Sequence, residues 1–229
     1  MRFVSIIGDS ISTYEGFNPS GYAVFYDGQM QKKNNLNSVY NTWWAKVNQA
    51  LHAYLCVNNA YSGSKVTGYH FPAASSESRT GLLHTTEHVP DVILIYIGFN
   101  DFGNGVPIRD KGLRKYFKKD LRFFANAYSK MVSDVKSNYP NATIVCATLM
   151  RTYIAGNDEW TFPECFAGVE FEAYNRAIRR ICKKENCILA DIGAMGMHYE
   201  MFDGAHPTDK GHITLSHAWI HSLSQAGIL

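Results

Sequence analysis

The sequence predicts an α/β protein: a parallel β-sheet with helices on both faces. Three observations carry that expectation. Short apolar, often β-branched runs are bounded by Gly, Asn, Asp or Pro, as buried strands are. Segments of helical periodicity lie between them, and strand–helix alternation is the signature of a parallel sheet covered on both sides. The chain of 229 residues, 46% hydrophobic and 18% charged, suits one folded domain with a substantial core.

In chain order, strands are expected at 3–7, 57–60, 92–97, 143–149 and 188–192, and helices at 42–55, 80–88, 113–139, 169–185 and 209–225. Residues 14–41 fit neither pattern. This Gly-, Asn- and Tyr-rich stretch is longer than an ordinary strand-to-helix connection and follows the first strand directly, so it reads as a wall or lid beside a site or as a surface excursion packed by its own aromatics. Tyr14, Phe17, Tyr22, Phe25 and Tyr26 within it read as core packing or as a surface for a sugar or acyl group. The loop after the fourth strand, 151–166, carries Tyr153, Trp160 and Phe162.

Composition excludes several function classes. A formal charge of +2, with the nearest basic run at 111–122 interrupted by Asp120, is far from the clustered positive charge of nucleic-acid binders, and that run reads as a solvated helix face. No apolar stretch approaches membrane-spanning length, and 3–7 is too short for a signal-peptide core, so a soluble, cytoplasmic protein is expected, unless a leader was removed. Five cysteines form no CxxC pair, and their odd number argues against a complete disulfide framework; Cys56 and Cys146 fall in apolar runs and read as buried thiols.

In an open parallel sheet, ligands bind beyond the carboxyl ends of the strands. The chemistry-bearing residues fall there: Gly8-Asp9-Ser10 after the first strand, Ser62-Gly63 after the second and Gly98-Phe99-Asn100-Asp101 after the third. Asp203-Gly204-Ala205-His206-Pro207 precedes the last helix. A serine hydroxyl becomes nucleophilic when a base takes its proton, and the base works best when an acid fixes its tautomer. Asp203, three residues before His206, is spaced to meet Nδ1 and leave Nε2 for Ser10. Oxyanion donors are expected from the Ser10 and Gly63 N–H groups and the Asn100 amide, with Gly68 the alternative to Gly63. Asp9, Tyr14, Phe99 and Asp101 are candidate substrate contacts.

These four blocks, in order and spanning nearly the whole chain, resemble those of the SGNH hydrolases, the GDSL esterase and lipase family; Ile11 stands where the family nickname has Leu. The resemblance implies a flavodoxin-like three-layer α/β/α sandwich with a five-stranded sheet, and an esterase, lipase, thioesterase or carbohydrate deacetylase needing no metal or cofactor. The expected activity is acyl-enzyme hydrolysis of a short-acyl ester, an acetyl group on a carbohydrate being the favoured case; a long-acyl lipase or thioesterase is the alternative. Partners are then a small-molecule or glycan ester, neither nucleic acid nor membrane. Ser12, Ser62 and Ser64 compete with Ser10, but none sits in a Gly-x-Ser-x-Gly elbow. Two readings of other classes remain. His84-Thr85-Thr86-Glu87-His88 matches the H-x-x-E-H of zinc peptidases if it is helical, although Pro90 leaves it one turn and no third ligand is evident. A catalytically silent glycan-binding relative is the other. His217 and His221, also four apart, lack the Glu and read as a helix face.

Overall fold

The computed structural model describes residues 1–108 and 120–229. The main sheet contains β1 (Arg2–Gly8), β2 (Ala53–Ala60), β3 (Val92–Tyr96), β4 (Thr143–Ala147) and β8 (Ile188–Ala190). All its pairings are parallel, in the order β2-β1-β3-β4-β8. The predicted α/β class with a five-stranded sheet is what forms. β3 is buried at every position, which is why its sequence reads as one apolar run without alternation.

Helices cover both faces. α2 (Trp43–Ala50) packs with α7 (Asp209–Gln225), where Trp43 and Trp219 stack at 5.0 Å with Tyr96 of β3 set edge-on to both. α5 (Phe124–Asn138) packs with α6 (Phe171–Glu185), joined by the short α3 (Glu77–Thr80). Caps set several boundaries: the hydroxyl of Thr42 accepts from Ala45 N–H and that of Thr208 from Gly211 N–H, and Asn186 ends α6 in the left-handed conformation.

Several helix expectations change. The helix expected over 42–55 stops at Ala50, because β2 starts at Ala53 and takes the residues its apolar pattern had assigned to the helix. The stretch 80–88 is not helical: α3 ends at Thr80, Leu83 N–H donates to the Tyr139 hydroxyl and Thr85 N–H to the His88 carbonyl, so the segment is a set of turns tied down from outside. Of the helix expected over 113–139, the part from Phe124 onward forms, and 113–119 lie outside the described residues, as does most of the basic run 111–122. In α7, His217 and His221 are exposed. Cys146 is buried, while Cys56, on the edge strand β2, is only half-buried. No helix among the described residues is long and apolar enough to cross a membrane.

The stretch 14–41 forms one short α-helix, α1 (Gly28–Lys33), a single 3₁₀ turn at Val39–Asn41, and turns pinned to the body. The Asn18 amide donates to the carbonyls of Asn58 and Ala60, and the Tyr26 hydroxyl to the Pro207 carbonyl at 2.8 Å. α4 (Phe99–Gly103) opens directly after β3. Beyond β4, β5 (Thr152–Ile154) pairs with β9 (Tyr199–Met201), and β6 (Cys165–Phe166) makes a small hairpin with β7 (Val169–Glu170).

Candidate active site

The end of β1 turns sharply at Gly8, where a Cβ would lie 2.5 Å from Ser12 Oγ, so only glycine lets the chain fold back on itself. Asp9 caps the short 3₁₀ turn Ser10–Ser12, its Oδ1 accepting from Ile11 N–H at 3.1 Å. Ser10 is thereby presented at the strand end, 7% exposed.

The opposite wall is a closed loop before α7. Phe202 N–H donates to the His206 carbonyl, and Met201 and Pro207 bridge across its base. Inside it, Asp203 Oδ1 accepts from the N–H groups of Ala205 and His206. Oδ2 lies 2.8 Å from His206 Nδ1, and His206 Nε2 lies 2.9 Å from Ser10 Oγ. Burial pushes the Asp203 carboxyl up, but the hydrogen bond and charge of His206 and the two backbone N–H groups outweigh it and hold the group down to about 2. An ionised carboxylate can only accept, so the proton sits on Nδ1 and the Nε2 lone pair faces the serine hydroxyl.

Three neighbours fix the imidazole and its loop. Phe25, from the 14–41 segment, stacks on His206 with centroids 3.4 Å apart and planes 7° from parallel. Thr152 of β5 donates to the Gly204 carbonyl at 2.6 Å, and Trp160 lies against Gly204 where a Cβ would come within 2.6 Å of its ring.

Asn100, at the start of α4, donates from Nδ2 to the Ser64 carbonyl at 3.0 Å. The N–H groups of Ser10 and Gly63 donate to no acceptor among the described residues, whereas Gly68 N–H is spent on the Leu121 carbonyl. Between the two glycines the geometry therefore leaves Gly63 as the one with a donor to offer, and its φ of 78° suits it to glycine.

A cleft of about 360 Å³ opens on Ser10 and His206, walled by Phe99, Phe102, Trp160 and Phe162. Of the four expected substrate contacts, Phe99 lines it. The other three are corrected by their burial. Asp101 is fully buried and accepts from the N–H groups of Val66 and Thr67 and from the Thr67 hydroxyl, so it anchors the loop after β2. Asp9 faces inward under Ser10, and Tyr14 is packed with its hydroxyl toward the Leu36 carbonyl. Burial pushes the carboxyls of Asp9 and Asp101 up to about 6. Nothing in the sequence marks out Phe102 or Thr152, or Phe25 as a partner of His206. Trp160 and Phe162 were visible as aromatics in the loop beyond β4.

The zinc-peptidase reading loses its geometry. His84 and His88 share no helix: His84 Nδ1 meets the Tyr139 hydroxyl, and His88 stacks on Phe3. Among the described residues no three His, Cys, Asp or Glu side chains group to hold a metal.

A family model described as GDSL-like lipase/acylhydrolase matches residues 2–160, more than half of the chain. Among solved structures, a candidate GDSL-like lipase from Bacteroides ovatus is 27% identical, with a TM-score of 0.70 over 98% of this chain and 99% of that one. Another from Bacteroides uniformis is also 27% identical, with a TM-score of 0.72 over 98% and 96%. A family two carbohydrate esterase from Clostridium thermocellum, solved with cellohexaose, shares the fold at 19% identity, with a TM-score of 0.57 over all of this chain and 65% of that one. No curated protein matches the chain. The sequence blocks, the parallel sheet and the matching family model agree: this chain belongs to the GDSL-like lipase/acylhydrolase family and is a serine hydrolase of ester bonds.

Proposed function

We propose that Ser10, His206 and Asp203 form a catalytic triad that hydrolyses a short-acyl ester, an acetyl group on a carbohydrate being the favoured substrate. The observation that carries the mechanism is the unbroken hydrogen-bonded line from Asp203 Oδ2 through His206 to Ser10 Oγ, with links of 2.8 and 2.9 Å. In acylation, Ser10 Oγ bonds to the ester carbonyl carbon while its proton passes to Nε2. The carbonyl oxygen takes the negative charge, held by the N–H groups of Ser10 and Gly63 and the second amide hydrogen of Asn100. Collapse breaks the bond to the alcohol oxygen, which leaves with the proton from Nε2. Water then gives its proton to Nε2, attacks the acyl-enzyme and releases the acid, and Ser10 recovers its hydrogen. Asp203 stays ionised throughout and steadies the imidazolium that forms twice per cycle.

Support for a short acyl group comes from the cleft. At about 360 Å³ it stands at the small end of ligand sites, which run roughly 300–1,000 Å³, and its aromatic walls close around a small group. Flat aromatic rings also suit the apolar face of a sugar. Rates on p-nitrophenyl acetate and octanoate, and on acetylated sugars, with Ser10→Ala as the blank, test this. We expect acetyl to be preferred and acetylated sugars to be cleaved; a preference for octanoate would reassign the enzyme as a long-acyl lipase or thioesterase.

A further inference from the structure

Behind the nucleophile turn lies a guanidinium that the triad does not use. Arg79 of α3 is fully buried. Its Nε donates to Asn59 Oδ1 at 2.6 Å. One terminal nitrogen donates to Ser64 Oγ at 3.2 Å and the Pro72 carbonyl at 2.5 Å, and the other to the carbonyls of Gly8 and Asn59, both at 2.8 Å.

Four of these five acceptors belong to the segments that present the proposed Ser10 and Gly63 donors. Gly8 ends β1 two residues before Ser10, Asn59 lies at the end of β2, and Ser64 follows Gly63. Ser64 is also gripped through its carbonyl by Asn100 Nδ2 and through its N–H by the Tyr61 carbonyl, while Tyr61 N–H donates to the Gly8 carbonyl at 3.2 Å. The three donors are therefore set relative to one another through one planar fork. Only Arg offers five N–H groups in fixed geometry; Lys offers one nitrogen.

The charge is equally pointed. All five acceptors are neutral, and among the described residues Arg79 makes no ion pair. Burial lowers its pKa only to about 10, so it remains a cation at neutral pH. Asp9 acts on it through charge alone, its Oδ1 accepting from Ile11 N–H instead. A buried cation without an ion-pair partner is costly to the resting protein and favourable to an anion that forms beside it.

We propose that Arg79 is a positioning residue of the esterase site: it locks the segments carrying the Ser10, Gly63 and Asn100 donors into one oxyanion hole and backs that hole with a buried positive charge. The inference rests on Ser10 being the nucleophile.

The test compares wild type with Arg79→Lys and Ser64→Ala, the latter removing a single acceptor. Each is first titrated with a fluorophosphonate to count competent sites. Per competent site, Arg79→Lys is expected to lower kcat on p-nitrophenyl acetate about 10- to 100-fold with KM within about twofold, the size of effect that misplaced oxyanion donors produce. The Ki of a trifluoromethyl ketone, which forms a tetrahedral oxyanion on the serine, should rise by the same factor. Ser64→Ala should show the same proportionality at a smaller size, about 3- to 10-fold, and it decides the matter if Arg79→Lys does not fold. Unchanged kcat per site, or lost rate with undiminished affinity for the ketone, would overturn the role of Arg79. Wild-type labelling that survives Ser10→Ala would instead sink the nucleophile assignment beneath it.

Discussion

At the scale of single residues the site divides sharply between side chains that react and side chains that hold. Asp203→Asn keeps the loop but loses an acceptor that must be anionic, so kcat should fall about 10³- to 10⁴-fold while the circular dichroism spectrum stays native. Asn100→Ala should cost about 10²- to 10³-fold in kcat, read on p-nitrophenyl acetate. The buried carboxyl of Asp9, pushed up to about 6, makes a different prediction. A raised pKa means that the folded state binds the proton more tightly, so the group's contribution to stability is full below about pH 3.8 and is lost as pH rises through about 6. Asp9→Asn mimics the protonated form. It should match wild type in urea melts at pH 4 and gain on it by on the order of 3 kcal/mol by pH 8, at 1.36 kcal/mol per pKa unit; a constant difference across that range would contradict the burial argument. The proposed triad was legible in the sequence because each member follows a strand end or precedes a helix at a spacing that chemistry restricts. Asp9 and Asp101 were misread as substrate contacts because a carboxylate beside a catalytic residue looks the same whether it points out or in. Arg79 gave no signal at all, since one arginine in a polar stretch carries no periodicity.

At the scale of elements, the loops, more than the sheet, orient the imidazole of His206. Residues 202–207 form a closed loop strapped by the β5–β9 pairing, by Thr152 on the Gly204 carbonyl and by Trp160 against Gly204. Gly204 has a φ of 89°, so Gly204→Ala meets both backbone strain and the Trp160 ring. It should lower stability by about 1–3 kcal/mol in denaturant melts and reduce kcat, because the loop it distorts carries both Asp203 and His206. Phe25→Ala frees one face of the imidazole and should lower kcat more than it raises KM. The 14–41 segment showed as irregular in sequence, but its aromatics had no spacing from which a stacking partner could be derived; the partner lies at the far end of the chain. The false helix over 80–88 has the opposite cause: its local pattern was acceptable, and tertiary hydrogen bonds to Tyr139 overrode it.

For the whole molecule, the order β2-β1-β3-β4-β8 puts the reversal of strand order between β1 and β3, and the serine and the asparagine leave the carboxyl ends of those two strands. The loop that carries the proposed acid and base leads into α7, which packs beside α2 and against β8, at the other end of the sheet from β2. Strand–helix alternation made this architecture legible, whereas the meeting of β5 with β9, nearly fifty residues apart, depended on contacts that no local window contains. The most direct measurement is to inactivate the enzyme with diethyl p-nitrophenyl phosphate and locate the adduct by peptide mass spectrometry. One phosphoryl group on the peptide containing Ser10, absent from Ser10→Ala and retained in Ser62→Ala, is the predicted result. An adduct on another serine, or rapid turnover by Ser10→Ala, would contradict the account.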